Sequence, residues 1–393
     1  MSTAKDAGRR IKTAREAHHM SATELSRRSN VSRVTIASIE DERTIPRLET
    51  VEALSQALHI TPSWIAFGEC IDSFMQAPHF DEVEVATQLE ALANSVGGFV
   101  DQKYLYIEPA GAAAWMKLES LREFPALREV ADFVASSTPG NIVELVSLGA
   151  GTAHAELQFL NYLKAKFLLK VVLVDISHTL LRRGYENLKN GLGDRLHSLL
   201  AVQGSMEELN CYHSKIRAGL PPSRRIVSMF GYTFSNLKHE LQFIQNALLG
   251  FDEGDLFLLE VALHDLPLPL TEAAIRRHDP TLRGGVFQEF DPRSLTFFSG
   301  PLLRNRRNVR EVKVARDVQV PSVIPNSYAV GPIVTAIDND GKKVDFRLAK
   351  ANRYHLESLI SAVEQEGYRM LHSWRYGERI PCAVLLFEVT GKK

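Results

Sequence analysis

Polar and apolar positions over the first seventy residues follow the spacing of short α-helices. An apolar stripe runs along residues 11–17, and basic residues fall on the other faces of the predicted helix. Ser21, with Glu24 three residues later, has the pattern of a capping box, and Ser32 is a second predicted N-cap. Pro46 ends the third helix before a last amphipathic segment. The pattern predicts a small all-α domain.

A different pattern begins at Ile142, where short apolar runs alternate with segments of helical periodicity. The runs are IVELVSL, LKVVLVDI, LHSLLAV, RRIVSMF and GDLFLLEVAL. Runs of this length without strict alternation are typical of strands that are buried on both faces of a parallel sheet. The second region is therefore predicted to be an α/β domain with a doubly wound, Rossmann-like sheet.

Three segments follow from these two patterns. We predict a helical domain over residues 1–70, a linker over 71–80 that contains Pro78 and lacks periodicity, and a second domain over 81–393. Within the second domain, the sheet core spans about 140–262, and accessory regions span about 81–139 and 263–350.

Composition limits the chemistry. With 46 Lys and Arg against 47 Asp and Glu, the formal net charge is -1, so any DNA contact must come from a local patch. The three cysteines form no CxxC pair and no His/Cys cluster at metal-ligand spacing, so we expect no metal site and a reducing compartment. The chain also lacks a signal-peptide pattern and a long apolar run, and we expect a cytoplasmic protein without a membrane segment.

The N-terminal segment from Met20 to Gly68 resembles the helix-turn-helix domain of the Cro and phage-repressor family. The resemblance implies that the third helix enters the major groove of double-stranded DNA, as a homodimer on a two-fold site. It implies contacts with base edges by Arg33, Val34, Thr35 and Ser38, and contacts with phosphates by Arg9, Arg27, Arg28 and Arg43. Residues 1–47 carry ten Lys and Arg against six acids. Ala22 departs from the glutamine common in the family, and a pure dimerisation module is the alternative.

A glycine-rich turn, SLGAGT, follows the first predicted strand. Gly149 and Gly151 allow a sharp turn and let a ligand lie against bare backbone. Asp175 ends the second strand, at the place where a carboxylate accepts hydrogen bonds from a ribose diol. The pair indicates a nucleotide site, whereas the glycines alone would fit an ordinary tight turn.

The position that a dinucleotide-binding GxGxxG motif would fill with its last glycine is His154, and LGAGTA instead resembles the first motif of class I S-adenosylmethionine-dependent methyltransferases. More narrowly, the stretch from Lys103 to Val389 resembles the histidine-specific Nα-methyltransferase family of ergothioneine biosynthesis. The similar segments are KYLY, SLGAGT, LVDIS, FGYTFSNL and FRLAKANRYHLESL. This resemblance implies S-adenosylmethionine as cofactor and the amine of an amino acid or related small metabolite as acceptor.

The resemblance also assigns site residues. The implied cofactor-binding residues are Gly149, Gly151, Thr152, Asp175, Ile176, Ser205 and Met206, and the implied catalytic residues are Tyr106, Asn236 and Tyr232. The chain departs from the family pattern at Ser147, Ser205, Phe124, Ala349 and Ala351. These departures argue against histidine itself as the acceptor.

Several alternatives stay open at the level of sequence. Asn236 has the position of a helix N-cap, and Tyr106 and Trp115 could be packed aromatic residues of the core. The arginine-rich β segment at 304–316 is either a solvated face or a surface that contacts an acidic substrate or DNA. For the whole chain, the main alternative is a transcription regulator whose second domain senses S-adenosylmethionine or a metabolite without turnover. DNA methylation is weaker because no DPPY-type sequence occurs.

Overall fold

The computed structural model describes most of the chain between Asp6 and Gly391. The described residues are 6–67, 71–78, 80–120, 122–138, 142–163, 167–217, 224–247, 250–282, 300, 302, 304–319, 321–378 and 380–391. Residues 1–5 and 68–70 of the predicted first domain lie outside these ranges. No helix in the described part has the length and apolar character needed to cross a membrane.

The N-terminal region folds into helices α1 to α5. Their bounds are Asp6–Ala17, Ala22–Ser29, Arg33–Glu40, Leu48–Leu58 and Pro62–Phe67. Both predicted caps are confirmed, since the Ser21 hydroxyl accepts from the backbone N–H of Glu24 at 3.1 Å and the Ser32 hydroxyl accepts from that of Thr35 at 3.0 Å. The return bond of the capping box is not formed, because the Glu24 carboxylate accepts from Arg27 and Arg28 instead.

The predicted linker is wrong in its first half, because residues Ile71–Gln76 form strand β1. This strand pairs in parallel with β5 (Leu196–Gln203) at the edge of the main sheet. An edge strand contributes mainly backbone hydrogen bonds and keeps one side open to solvent, so it needs no apolar run. Phe74, for example, stays 43% exposed. The helical domain therefore connects directly to the sheet.

The main sheet contains all five predicted strands, in parallel. They are β3 Ile142–Leu148, β4 Leu168–Asp175, β5, β6 Arg225–Met229 and β7 Leu256–Ala262. A hairpin of β12 (Tyr368–Tyr376) and β13 (Cys382–Val389) completes it, with β13 antiparallel to β7. Among the described strands the order is β1-β5-β4-β3-β6-β7-β13-β12. The Rossmann-like prediction is confirmed, and the order reverses at β3, where ligands bind in such sheets.

Helices cover both faces of the main sheet. They are α9 Leu127–Ser137, α10 His154–Tyr162, α11 His178–Leu192, α12 His213–Arg217, α13 Glu240–Ala247 and α15 Leu356–Gln365. One apolar core lies under α9, α10 and α11, and a second lies on the opposite face with α13 and α15. Two-sided burial explains why the strands read as continuous apolar runs.

The accessory regions build a second sheet. Its members are β2 Gly98–Val100, β8 Val309–Gln319, β9 Tyr328–Asp338, β10 Lys343–Leu348 and β11 Ala351–Arg353, and the nearby helices are α6 Glu82–Ala93, α7 Tyr104–Ile107, α8 Pro109–Glu119 and α14 Glu272–His278. Strand β2 pairs in parallel with β10, which joins the segment before the main sheet to the segment inserted after β7. The arginine-rich stretch is β-structure, as predicted, only from Val309 onward, since Arg304, Arg306 and Arg307 precede strand β8.

The helical domain packs against the main sheet through buried polar and aromatic groups. The Arg10 guanidinium is 1% exposed, donates to the Ile65 carbonyl at 3.0 Å and lies 3.4 Å from the Asp194 carboxylate. Trp64 meets His197 of β5 edge to face, with ring centroids 5.6 Å apart. Leu168, the first residue of β4, belongs to the core of the helical domain. The two regions therefore share an interior.

Candidate functional site

A cleft of about 820 Å³ opens at the carboxyl ends of β3, β4, β5 and β6. Its lining consists of Asp101, Gln102, Lys103, Tyr106, Trp115, Gly149, Gly151, Asp175, Ile176, Leu180, Gly204, Ser205, Met206, Glu207, Gly231, Thr233, Asn236, Leu237 and Lys238. The position is the crevice where open α/β sheets bind ligands.

The glycine turn forms the floor of this cleft. Gly149 has φ +69° and Gly151 has φ +54°, a region that favours glycine. A Cβ on Gly149 would lie 2.6 Å from the Thr233 Cγ2, which no real Cβ tolerates. A Cβ on Gly151 would lie 3.2 Å from Glu119 Oε1 and 3.6 Å from the Trp115 indole nitrogen. Gly149 is therefore required by backbone conformation and by space, whereas Gly151 is favoured mainly by its backbone conformation.

Asp175 closes the turn from the neighbouring strand. Its Oδ2 accepts from the backbone N–H of Gly151 at 2.8 Å, and its Oδ1 accepts from that of Ser177 at 2.8 Å. Burial raises the pKa of Asp175 to about 6, against the two backbone donors, which lower it. A carboxylate offers about four acceptor positions, so these bonds leave acceptor capacity towards the cleft.

The predicted cofactor residues divide into two groups. Gly149, Gly151, Asp175, Ile176, Ser205 and Met206 line the cleft together. Thr152 is not among the lining residues: it is 6% exposed, and its hydroxyl donates to Glu119 Oε2 at 2.6 Å. The structure thus gives Thr152 a supporting contact behind the turn. Burial raises the pKa of this Glu119 carboxyl group.

Two of the three predicted catalytic residues also line the cleft. The Tyr106 hydroxyl is hydrogen-bonded to the Gln102 amide, and its ring meets Trp115 edge to face with centroids 5.4 Å apart. Trp115, expected to be a core residue, both packs on the accessory core and lines the cleft. The N-cap explanation for Asn236 fails, because α13 begins only at Glu240.

Tyr232 points away from the cleft. Its hydroxyl lies 3.0 Å from the Cys382 thiol, and its ring lies under the Arg122 guanidinium at 4.6 Å. Arg122 also donates to the carbonyl of Gly231, which does line the cleft. The structure therefore does not support a catalytic role for Tyr232. Because φ is +60° at this residue, the strand-to-loop turn directs its side chain to the opposite side.

Several charged residues of the cleft were missed by the sequence analysis. Asp101, Lys103 and Lys238 lie close to residues that were predicted, but no motif marks them. Glu207 also lines the cleft, two residues after the predicted cofactor residue Ser205. Burial, together with the nearby Asp101 carboxylate, raises the pKa of Glu207. The residue lies in a 3₁₀ turn over Met206–Cys211.

A buried carboxyl group lies beside Ser147 on the first strand of the sheet core. Ser147 is fully buried, and its hydroxyl donates to Glu156 Oε1 at 2.6 Å. Burial raises the pKa of Glu156 to about 8. A carboxyl group thus lies behind the first strand although position 147 itself carries none. Neither residue lines the cleft.

The predicted DNA-reading residues lie on one helix and its surroundings. Val34 is 80% exposed, and Arg33 is also exposed, whereas Ile36 and Ile39 of the same helix are buried. Thr35 and Ser38 are half-buried and bonded to Ser32 and Thr44. The predicted phosphate contacts are engaged within the chain, with Arg28 on Glu24, Arg43 on Asp41 and Arg9 on Asp194. These pairs are exposed, so they are weak enough to exchange for a phosphate.

Comparison with known proteins identifies the helical region. Residues 11–65 match the family model described as helix-turn-helix. They form a helix-turn-helix domain. The immunity repressor protein of Bacillus phage phi105 is 33% identical over 87 residues, which cover 22% of this chain and 60% of the repressor. The chain thus spans less than two thirds of the length of that relative.

Solved structures similar to the remainder are distant. An S-adenosylmethionine-dependent methyltransferase from Clostridium acetobutylicum is 12% identical, with a TM-score of 0.40, over 70% of this chain and 95% of its own. The 1,6-didemethyltoxoflavin-N1-methyltransferase of Burkholderia thailandensis is 10% identical, with a TM-score of 0.38, over 80% of this chain and 93% of its own.

Proposed function

We propose that the chain is an S-adenosylmethionine-dependent methyltransferase that acts on the amine of an amino acid or related small metabolite. The proposal includes a sequence-specific DNA-binding domain at the N-terminus. The observation that carries it is the unit formed by Gly151 and Asp175, in which bare backbone and a carboxylate with remaining acceptor capacity face one cleft.

The residues of the cleft fit this cofactor. The Asp175 carboxylate would accept from the ribose hydroxyls, and Gly149 and Gly151 would allow the methionine part to lie against the backbone. Ile176, Leu180 and Met206 provide apolar surface for the adenine ring. S-adenosylmethionine has no phosphate, so the cleft needs no backbone amides at a helix N-terminus to bind one. This agrees with His154, and not a glycine, at the last position of the GxGxxG pattern.

The chemistry asks little acid or base strength from the protein. Bound S-adenosylmethionine supplies an electrophilic methyl group, and the protein has to align a neutral amine and exclude water. Tyr106 and Asn236 are placed to orient the acceptor in the cleft. Burial keeps the pKa of Tyr106 above its usual range, so it acts as a neutral hydrogen-bonding group. Glu207, one of the carboxylates that line the cleft, is our candidate for accepting the amine proton.

DNA reading is assigned to Arg33, Thr35 and Ser38 of α3, with Arg28 and Arg43 towards phosphates. Domains of this class place their second motif helix in the major groove and bind two half-sites as two-fold dimers. We therefore propose a homodimer on double-stranded DNA. The exposed side chain of Val34 has the apolar character that contacts a thymine methyl group.

The enzymatic part is tested by incubating the purified protein with S-adenosylmethionine and a pool of amino acids. Mass spectrometry should detect an amine heavier by one methylene unit. The matched variant is Asn236→Ala, which should bind the cofactor as wild type does and form little product. Cofactor binding without any product would favour the sensor described next.

A ligand-sensing transcription regulator is the second candidate, and one observation favours it. Strand β4 begins at Leu168 in the core of the helix-turn-helix domain and ends at Asp175 in the cleft. A ligand on Asp175 therefore acts on a strand that supports the DNA-reading domain. If the two sites are coupled, operator DNA must change the affinity for S-adenosylmethionine by the same factor that the cofactor changes DNA affinity.

A further inference from the structure

A second cavity lies beside the cofactor cleft, between the accessory sheet and the loop that follows Asn236. Its volume, open solvent included, is about 1140 Å³, and its lining includes Lys238, His239, Asp345, Arg347 and Lys350. Lys238 lines this cavity and the cofactor cleft as well. The two spaces are therefore neighbours, and one small molecule could extend from one into the other.

The charge of this cavity is predominantly positive. Lys238, Arg347 and Lys350 contribute three cations, and Asp345 contributes one carboxylate, which accepts from the Thr335 hydroxyl at 2.5 Å. Neither Lys238 nor Arg347 forms an ion pair within 4.0 Å with any carboxylate of the described residues.

Lys350 is the most informative of the three cations. It is 7% exposed, and its ammonium donates to the Lys238 carbonyl at 3.2 Å. In the described part of the chain, no carboxylate lies within 4.0 Å of it. Glu240 acts on it only at longer range, and the Oε1 of that carboxylate accepts from Asn352 and Tyr354. A buried ammonium without a paired anion is costly, so a site of this kind favours a bound anion.

We propose that this cavity holds an anionic group of the methyl acceptor, either a phosphate or a side-chain carboxylate. Arg347 and Lys350 bind the group, and Lys238 lies between it and the amine that faces the cofactor. The acceptor is then an amine that carries an acidic substituent beyond its α-carboxylate. The bound anion is inferred from the cavity alone. That this anion belongs to the methyl acceptor rests on the proposed function.

The test is calorimetric titration of the full-length protein with serine, aspartate and O-phosphoserine. These three amino acids share the amine and the α-carboxylate and differ in the charge of the side chain. We expect aspartate or phosphoserine to bind at least about tenfold more tightly than serine, as charge-assisted hydrogen bonds require. The tighter of the two ligands identifies the group as carboxylate or phosphate.

Arg347→Gln should remove this preference and leave serine unchanged. Lys343→Gln is the matched control, since Lys343 lies on the same exposed face of β10 but does not line the cavity. Because Arg347 is exposed, its substitution should not impair folding. Lys350→Met is a second variant for the same test. Equal affinities for the three ligands, or a preference that persists in Arg347→Gln, would overturn the inference.

Cofactor binding by Arg347→Gln separates this inference from the proposed function. Unchanged affinity for S-adenosylmethionine, together with lost anion preference, supports both. Cofactor binding without any anion preference in the wild-type protein would leave the methyltransferase proposal standing and remove the anionic acceptor.

Discussion

The backbone N–H of Gly151 donates a hydrogen bond to the Asp175 carboxylate at 2.8 Å, across two neighbouring strands of the main sheet. This contact joins the glycine turn to the acid that ends the second predicted strand. Asp175 is 8% exposed, so its carboxylate is largely buried against the turn and still lines the cleft. The predictions below depend on that arrangement and on the helix-turn-helix domain packed against it.

The affinity for S-adenosylmethionine should depend on the ionisation of Asp175. Burial raises the pKa of this carboxyl group to about 6, so lowering the pH through that value protonates it and removes an acceptor for the ribose. We expect the affinity to fall about tenfold for each pH unit below 6. Titration calorimetry between pH 5 and 8 measures this. Asp175→Asn should bind weakly at every pH, and a variant that keeps the wild-type pH profile would refute the role of this carboxylate.

Gly149→Ala should abolish cofactor binding. The new methyl group would meet the Thr233 Cγ2 at 2.6 Å, and the residue would keep an unfavourable φ of +69°. We expect a loss of about 1 to 3 kcal/mol in the free energy of unfolding. The double variant Gly149→Ala with Thr233→Ser removes the opposing methyl group and should recover part of that loss. No recovery in thermal unfolding would mean that backbone strain, and not the contact, dominates.

Arg33→Ala should weaken binding to a specific operator by about 1 to 3 kcal/mol, while cofactor binding stays at the wild-type level. The expected cause is the loss of base-edge hydrogen bonds from the exposed N-terminus of α3. The operator can be selected from random double-stranded DNA and measured by fluorescence anisotropy. Arg182→Ala is the control, because Arg182 is equally charged and exposed but lies on α11. An equal effect of both variants would indicate nonspecific electrostatics.

The contact between the two domains should weaken in acid through His197. Burial lowers its pKa to about 4, so between pH 6.5 and 4 the unfolded chain binds more protons than the folded one. Stability is therefore lost as the pH falls through this window, by a total on the order of 3 kcal/mol. Thermal midpoints between pH 7 and 4.5 test the sign.

His197→Phe keeps the aromatic contact with Trp64 and removes the titration, so its midpoint should fall less steeply with acid than that of the wild-type protein. His239→Phe is the matched control, because His239 is exposed. If His197→Phe and wild type show the same pH profile, the buried imidazole is not the source of the acid sensitivity.

Sequence patterns predicted the parts of the fold that depend on local interactions or on the burial of both faces of a strand. The five inner parallel strands, β3 to β7, were found because burial on both faces leaves an uninterrupted apolar run. The caps at Ser21 and Ser32 were found because capping is a local interaction. Strand β1 was missed because an edge strand is held by backbone pairing that no side-chain pattern records.

The sequence predicted the site residues whose positions are fixed by a backbone motif. It missed those whose role depends on the direction of the side chain. Gly149, Gly151 and Asp175 follow from turn and strand-end rules. Tyr232 adjoins the cleft in sequence, but its positive φ turns the ring towards Cys382. The cations of the second cavity come from β10, from Lys350 between β10 and β11, and from the loop after Asn236. These segments are far apart in the chain, so only the tertiary structure brings them together.

The most direct measurement of the central claim is titration calorimetry of S-adenosylmethionine into wild-type protein and Asp175→Ala at pH 7.5. Asp132→Ala is the control, since Asp132 is exposed on α9. The proposal predicts one site per chain, unchanged in the control and at least about tenfold weaker in Asp175→Ala, as the loss of charge-assisted bonds requires. Absence of binding to the wild-type protein, or equal binding to Asp175→Ala with an unchanged thermal midpoint, would contradict it.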